Sequence, residues 1–202
     1  HVRNGISPVY ELLRAGVNVA MGIDDKSLND DEDLFMEMRL IHQLHRVAGF
    51  DLERTPPLTG AQVLEMATVN AARTIGFGGR LGTLEPGRLA DLVLVDAAPV
   101  FDAPWTSPDA DPLETLVLRA KGAHVRTVVV GGRVVVEDGR FRDYDVEALF
   151  AEVRAFCARG LTDGQKARQE PMRRLIAHHQ RWHNAMLEHL PPSEPFYRMN
   201  GD

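Results

Sequence analysis

Apolar positions along the chain first cluster at Val9, Leu12 and Leu13, within SPVYELLRA, where a Ser that can cap and an early Pro predict a short helix over residues 7–15 that stops at Gly16. Next, VNVAMGI at 17–23 is a continuous apolar run with β-branched residues between Gly16 and a polar stretch, the pattern of a strand covered on both faces. It ends abruptly on Asp24-Asp25. Such an ending fits a strand that reaches water, and it equally fits a scaffold that holds a metal ligand. Leu34, Phe35, Met38, Ile41, Leu44 and Val47 then recur at helical spacing and predict a helix over 31–49, with Asp31, Glu32 and Asp33 in a first turn that favours negative charge. A further helix is predicted over 59–75, opened by a Thr59/Gln62 capping box and closed by Gly76.

From residue 77 the spacing of Gly78, Gly79, Gly82, Pro86 and Gly87 breaks the chain into short segments. ADLVLVD at 90–96 predicts a strand, and VRTVVVGGRVVVEDGRF at 125–141 predicts two strands joined at Gly131-Gly132, a short-range hairpin signal. Between them lies a loop rich in Pro and Asp (98–112) and a short helix, PLETLVLRA. Helices are expected again over 145–160 and over 165–190, before the tail PPSEPFYRMNGD. The helix–strand alternation followed by a β-rich stretch makes the class α/β.

Composition narrows the function more than the fold. The chain has 202 residues, 44% of them apolar, enough to bury a core. Its net charge of −6 gives no general attraction for nucleic acid or anionic membranes, so neither is expected as a partner. A single cysteine, Cys157, excludes an intrachain disulfide and suits a reducing cytoplasm; on the apolar face of EVRAFCARGL a packed thiol is expected. The start at His1-Val2-Arg3-Asn4, with no initiating Met and with elements beginning at once, is expected of a piece of a longer protein.

Several segments, in order, carry a resemblance: Gly-Ile-Ser-Pro-Val at 5–9, AGVNVAMGIDD, NDDEDLFMEMRL, the Ala67-Thr68-Val69-Asn70-Ala71-Ala72-Arg73 motif, and the Gly82–Val93 run GTLEPGRLADLV. This series resembles the C-terminal part of metal-dependent amidohydrolases, in the branch of cytosine deaminase-like and triazine hydrolase-like enzymes. The resemblance implies the C-terminal segment of a (β/α)8 barrel, with VNVAMGI as last strand, plus a contribution to a small β-sandwich and C-terminal helices. The implied division is 1–77 for the barrel part, 78–142 for the sandwich and 143–202 for a helical extension and tail.

It also implies the chemistry. Asp24 would project from the C-terminal rim of the barrel, bind a divalent metal, zinc first with iron or manganese as alternatives, and act catalytically by accepting a proton from the metal-activated water. The implied reaction is hydrolysis of a C–N bond, deamination of an N-heterocycle such as a purine, pterin, pyrimidine or triazine. A chlorohydrolase of the same family is the alternative, and a non-catalytic assembly module is the reading if the upstream ligands are absent.

The family's other ligands, a His-x-His pair and two later histidines, lie in segments this sequence lacks, so the chain by itself is not expected to catalyse the reaction. Of the histidines present, His42 and His45 share a helix face and are expected between helices or at the surface. His179 and His183 have the i, i+4 spacing of a zinc pair without the accompanying Glu of HExxH, and His124 is expected in solvent. Where similar deaminases read Gly-Thr-Asp-Gly, this chain has Gly22-Ile23-Asp24-Asp25, followed by Lys26 and Leu28. These departures argue against presuming a thioadenosine or adenosylhomocysteine substrate. Lys26 and Ser27 are candidate substrate contacts, while Asn29, Asp33, Glu37 and Arg39 match the family pattern and are expected to fix the helix start. A homo-oligomer is expected, with Phe196 and Tyr197 of the tail as a possible anchor on a neighbouring subunit.

Overall fold

A computed structural model describes residues 7–24, 30–45 and 56–188. Residues up to Asp143 form one compact unit and those from Tyr144 onward a second.

The first unit begins with α1 (Val9–Arg14), whose Val9 is buried. Ser7 makes no side-chain cap, and Pro8 occupies the N-cap position. Residues 17–24, where the sequence predicts a strand, carry no regular secondary structure and form no ladder. A strand needs a neighbour to take its backbone bonds; here those bonds go to helices, with the Met21 amide donating to the Met66 carbonyl at 3.2 Å. Nor is the run covered throughout, since Val17, Asn18 and Gly22 are exposed while Val19 and Met21 pack on the core.

Helix α2 (Leu34–Leu44) starts later than the acid cluster suggests. Asp31, Glu32 and Asp33 precede it, and Asp33 is its N-cap, accepting from the Phe35 amide at 3.0 Å. The other Asp33 oxygen accepts from the Gly122 amide at 2.8 Å, so one carboxylate caps a helix and ties it to a loop far along the chain. The predicted helix over 59–75 has its Thr59/Gln62 capping box but is broken at Thr68 into α3 (Gly60–Ala67) and α4 (Val69–Thr74). At its end the Gly76 amide bonds the Arg73 carbonyl and the Phe77 amide bonds the Ala72 carbonyl, the paired bonds of a Schellman stop.

The β-rich stretch forms one antiparallel sheet in the order β1 (Leu92–Val95), β2 (Val125–Val130), β3 (Arg133–Glu137) and β4 (Arg140–Phe141). Gly131 and Gly132 make the expected hairpin turn, with φ of 57° and 82°, the left-handed pair that a two-residue loop demands. A second tight turn at Asp138-Gly139 adds β4, so 125–141 holds three strands. Within the 98–112 loop, Ala98–Asp102 forms a π-helical turn, and α5 (Pro112–Arg119) follows with Asp111 as its cap.

The core gathers Val9, Met38, Leu58, Val63, Met66 and Val117, with Val19 and Met21 against it. Helices α2, α3 and α5 meet around Glu114. One of its oxygens accepts from the Gly60 amide at 2.8 Å and the other lies 2.7 Å from Nε2 of the fully buried His42. Gly60 is required there, because a Cβ would fall 2.7 Å from the Glu114 backbone nitrogen.

The second unit contains α6 (Val146–Ala158) and α7 (Asp163–Leu187), the latter opened by a Thr162/Gln165 capping box. Cys157 is exposed rather than packed, because the face it shares with Val153 and Phe156 is itself uncovered.

Candidate functional site

The backbone delivers Asp24 in an unusual state. It closes the extended run with φ at +70°, in the left-handed region that a non-glycine residue rarely adopts, and it is exposed. Strain of this kind survives where the surroundings impose it, and it concentrates at functional positions.

The run that carries it is held by α4. The Asn70 side-chain amide donates to the Val19 carbonyl at 3.0 Å. In return, the Asn18 side-chain amide donates to the Asn70 carbonyl and to the Thr74 hydroxyl, both at 3.0 Å. Two sequence-distant asparagines therefore grip one another's backbone neighbourhood across the junction. Sequence reasoning missed both as site-related residues. The available signal was a lone amide side chain inside each apolar pattern, VNVAMGI and ATVNAART.

The break at Thr68 aims α4 at this junction. Thr68 has φ −123° and ψ −86°, outside the helical basin. Gly82 packs against the break so closely that a Cβ would lie 2.7 Å from the Val69 Cα. The two motifs that carry the family resemblance thus touch at Val69 and Gly82.

The histidines do not join Asp24. His42 is committed to Glu114 inside the core. Burial lowers the His45 pKa, an effect that Glu11 partly offsets. His124 is half-buried, with its Nδ1 enclosed and lacking a hydrogen-bond partner, which corrects the expectation of a solvent-facing ring; it sits at the end of a 3-10 turn beside β2. His179 and His183 are exposed on α7, and His179 stacks on Trp182 with centroids 5.5 Å apart. Lys26, Ser27 and the tail with Phe196 and Tyr197 lie outside the described residues.

Among the described residues no group of three or more His, Cys, Asp or Glu side chains could hold a metal. Asp24 stands at this junction as an exposed carboxylate, a hard oxygen donor by chemical type. A separate cavity of about 640 Å³ opens between α2, α3 and the sheet, walled by Leu34, Met38, Leu64, Val93 and Val128, and Asp24 does not line it. Among the described residues no helix is long and apolar enough to cross a membrane.

The amidohydrolase family profile matches residues 1–135. A 5-methylthioadenosine/S-adenosylhomocysteine deaminase from Syntrophobacter fumaroxidans is 43% identical over 151 residues, which cover 75% of this chain and 33% of that protein. A 5'-deoxyadenosine deaminase from Methanosarcina barkeri is 37% identical over 179 residues, covering 86% of this chain and 36% of the relative. In structure, a zinc-bound adenosine deaminase from Xanthomonas campestris superposes with a TM-score of 0.66 at 35% identity, over 77% of this chain and 34% of that one. An atrazine chlorohydrolase from Arthrobacter aurescens TC1 complexed with zinc gives 0.65 at 32% identity, over 75% and 32%. The chain spans about a third of the length of the curated relatives it matches.

Proposed function

Because the chain belongs to the amidohydrolase family and takes the C-terminal part of that fold, we propose that the whole protein is a metal-dependent hydrolase that deaminates an N-heterocycle. The observation that carries the reading is Asp24: an exposed carboxylate, in left-handed backbone, at the end of an extended run anchored by the family motif. Its similarity to deaminases of adenosine derivatives favours an adenosine-type purine as substrate. The altered Gly22–Asp25 sequence and Lys26 would then tune which 5' substituent is accepted.

In this reading Asp24 supplies one ligand to a divalent metal, and the zinc bound in two similar structures favours zinc over iron or manganese. When bound, the metal supplies an acidified water at neutral pH. The Asp24 carboxylate accepts a proton as the ring carbon is attacked, and donates it to the departing amine, the work of a general base and then a general acid. Lys26 and Ser27 remain the proposed substrate contacts.

The three-part division at 77 and 142 and a cytoplasmic location belong to the same proposal. So does a homo-oligomer, supported by the exposed Met172, Leu175, Ile176, Trp182 and Met186 on α7. Similarity to the atrazine chlorohydrolase supports a second reading, displacement of chloride by the same site.

The test is Asp24→Asn in the full-length protein, assayed against adenosine derivatives and chlorotriazines with metal content measured. A loss of activity of about 100-fold or more, the usual weight of a positioned acid–base group, is expected; activity at the wild-type level overturns the assignment.

A further inference from the structure

We infer that Asn70 is a positioning residue for Asp24: by bonding the Val19 carbonyl and receiving the Asn18 side chain on its own carbonyl, it fixes the register of the run that ends on the candidate metal ligand. This rests on the reading of Asp24 given above.

The argument is one of register. In an extended chain each residue advances about 3.3 Å and successive side chains alternate faces. A slip of one residue therefore moves every group along the run and turns it to the opposite side. Ladder bonds to neighbouring strands normally resist this, yet such bonds are spaced by whole residues and do not by themselves distinguish one register from the next.

The Asn18 side chain makes that distinction, since every residue offers a backbone carbonyl but residue 18 alone brings this amide, which donates to the Asn70 carbonyl and the Thr74 hydroxyl at 3.0 Å. The Asn70 amide adds a bond to the Val19 carbonyl at 3.0 Å. Thr74 in turn donates to the Asn70 carbonyl at 2.9 Å, which holds that acceptor in place. Two residues on, the Met21 amide takes the Met66 carbonyl at the end of α3. Four contacts between 18–21 and 66–74 thus set the axial position of a run whose far end lies three residues past Met21. They use the Val19 carbonyl and the Met21 amide, backbone groups two residues apart that the helices take up.

A slipped register would carry the Asp24 carboxylate about 3.3 Å along the run and onto the wrong face. The proposed contacts Lys26 and Ser27, two and three residues further on, would be carried with it. The signature is therefore a fall in turnover together with a loss of metal retention.

The experiment compares Asn70→Asp and Thr74→Val with wild type in the full-length, metal-loaded protein. The Asp variant keeps the shape but sets an acceptor against the Val19 carbonyl, and the Val variant removes the hydroxyl that braces the clamp while leaving Asn70 intact. Expected for Asn70→Asp are a kcat lowered tenfold or more and release of metal to a chelator accelerated tenfold or more. Thr74→Val should shift both in the same sense by a smaller factor, and it carries the test if Asn70→Asp does not fold. Wild-type kcat and metal release, with only the melting temperature lowered, would overturn the inference and leave Asn70 a purely structural residue. Asp24→Asn, run alongside, separates the two levels: if it is fully active the reading of the site fails, and if it is inactive while the clamp variants turn over normally, only the present inference fails.

Discussion

His42 and Glu114 meet at 2.7 Å although 72 residues separate them in sequence, and their contact joins three helices because the second Glu114 oxygen holds the Gly60 amide. His42 is fully enclosed, so removing the carboxylate strips a buried group of a partner it cannot replace with water. Glu114→Ala is expected to destabilise the first unit by roughly 1.5–3 kcal/mol, the range for a hydrogen bond to a charged group. Urea unfolding at neutral pH measures it. An unchanged midpoint would mean that α2, α3 and α5 are held without help from this pair, by apolar packing and by the Arg39 bonds to the Leu118 and Ala120 carbonyls.

Gly82→Ala should be costlier than its half-buried, loop-like setting suggests. The new Cβ would lie 2.7 Å from the Val69 Cα, and the backbone there has φ +96°. Crowding of this kind costs about 1–3 kcal/mol, and left-handed backbone adds about 1–2 kcal/mol for a residue with a Cβ. A fall in melting temperature larger than that of Gly87→Ala, where nothing lies within 4 Å, is the expected result. Equal falls would show that φ alone matters at both positions.

Those two contacts also mark where sequence reading reached and where it stopped. The Thr59/Gln62 box and the Gly131-Gly132 hairpin were legible because their chemistry is complete within four residues. The break at Thr68 was not, since the residue packed against it, Gly82, arrives fourteen residues later, and the helical pattern of TGAQVLEMATVNAARTIG continues straight through it. The run 17–23 was legible as extended; that its bonds go to α3 and α4 depends on Met66 and Asn70 and leaves no trace in local spacing. Asp24 emerged from a resemblance, whereas its left-handed backbone had no sequence signature. Cys157 was misplaced because an apolar helix face was taken to imply a cover.

The pH response of the sheet is expected to appear on the acid side. Arg126 bonds the Asp96 carboxylate at 2.8 and 3.2 Å, and the Ala98 amide adds a third bond, so Asp96 is held below its ordinary value of 3.8, chiefly by the Arg126 bond. A carboxyl group with a depressed folded-state pKa contributes stability that is complete above the ordinary value and is lost as pH falls through the folded one. Arg126→Gln should raise the Asp96 titration midpoint toward 3.8, followed by carboxyl-carbon NMR, and acid unfolding should begin at higher pH. An unmoved midpoint would assign the shift to the Ala98 amide instead.

His45 should act in the same direction at higher pH. Burial lowers its pKa from 6.5, with Glu11 opposing, and its ring meets Tyr10 edge-on at 6.1 Å. The unfolded chain therefore takes up a proton before the folded one does, so stability is full above about pH 6.5 and declines as the solution is acidified through the folded pKa. His45→Gln should flatten the dependence of the unfolding midpoint between neutral and mildly acid pH. A slope identical to wild type would place the proton uptake elsewhere.

The backbone at Asp24 allows function and stability to be separated at one position. At φ +70° the aspartate occupies a conformation that glycine adopts without steric cost. Asp24→Gly relieves about 1–2 kcal/mol of left-handed strain and gives back about 0.4–1 kcal/mol through the looser unfolded chain. The variant should therefore be as stable as wild type or slightly more so, while losing the carboxylate altogether. If Asp24 is a structural strand end, Asp24→Gly should be active and stable; if it is the catalytic carboxylate, the same protein should be stable and dead. Melting curves and deaminase assays on one preparation distinguish the two, because no loss of activity in a protein with an undiminished melting temperature can be blamed on misfolding.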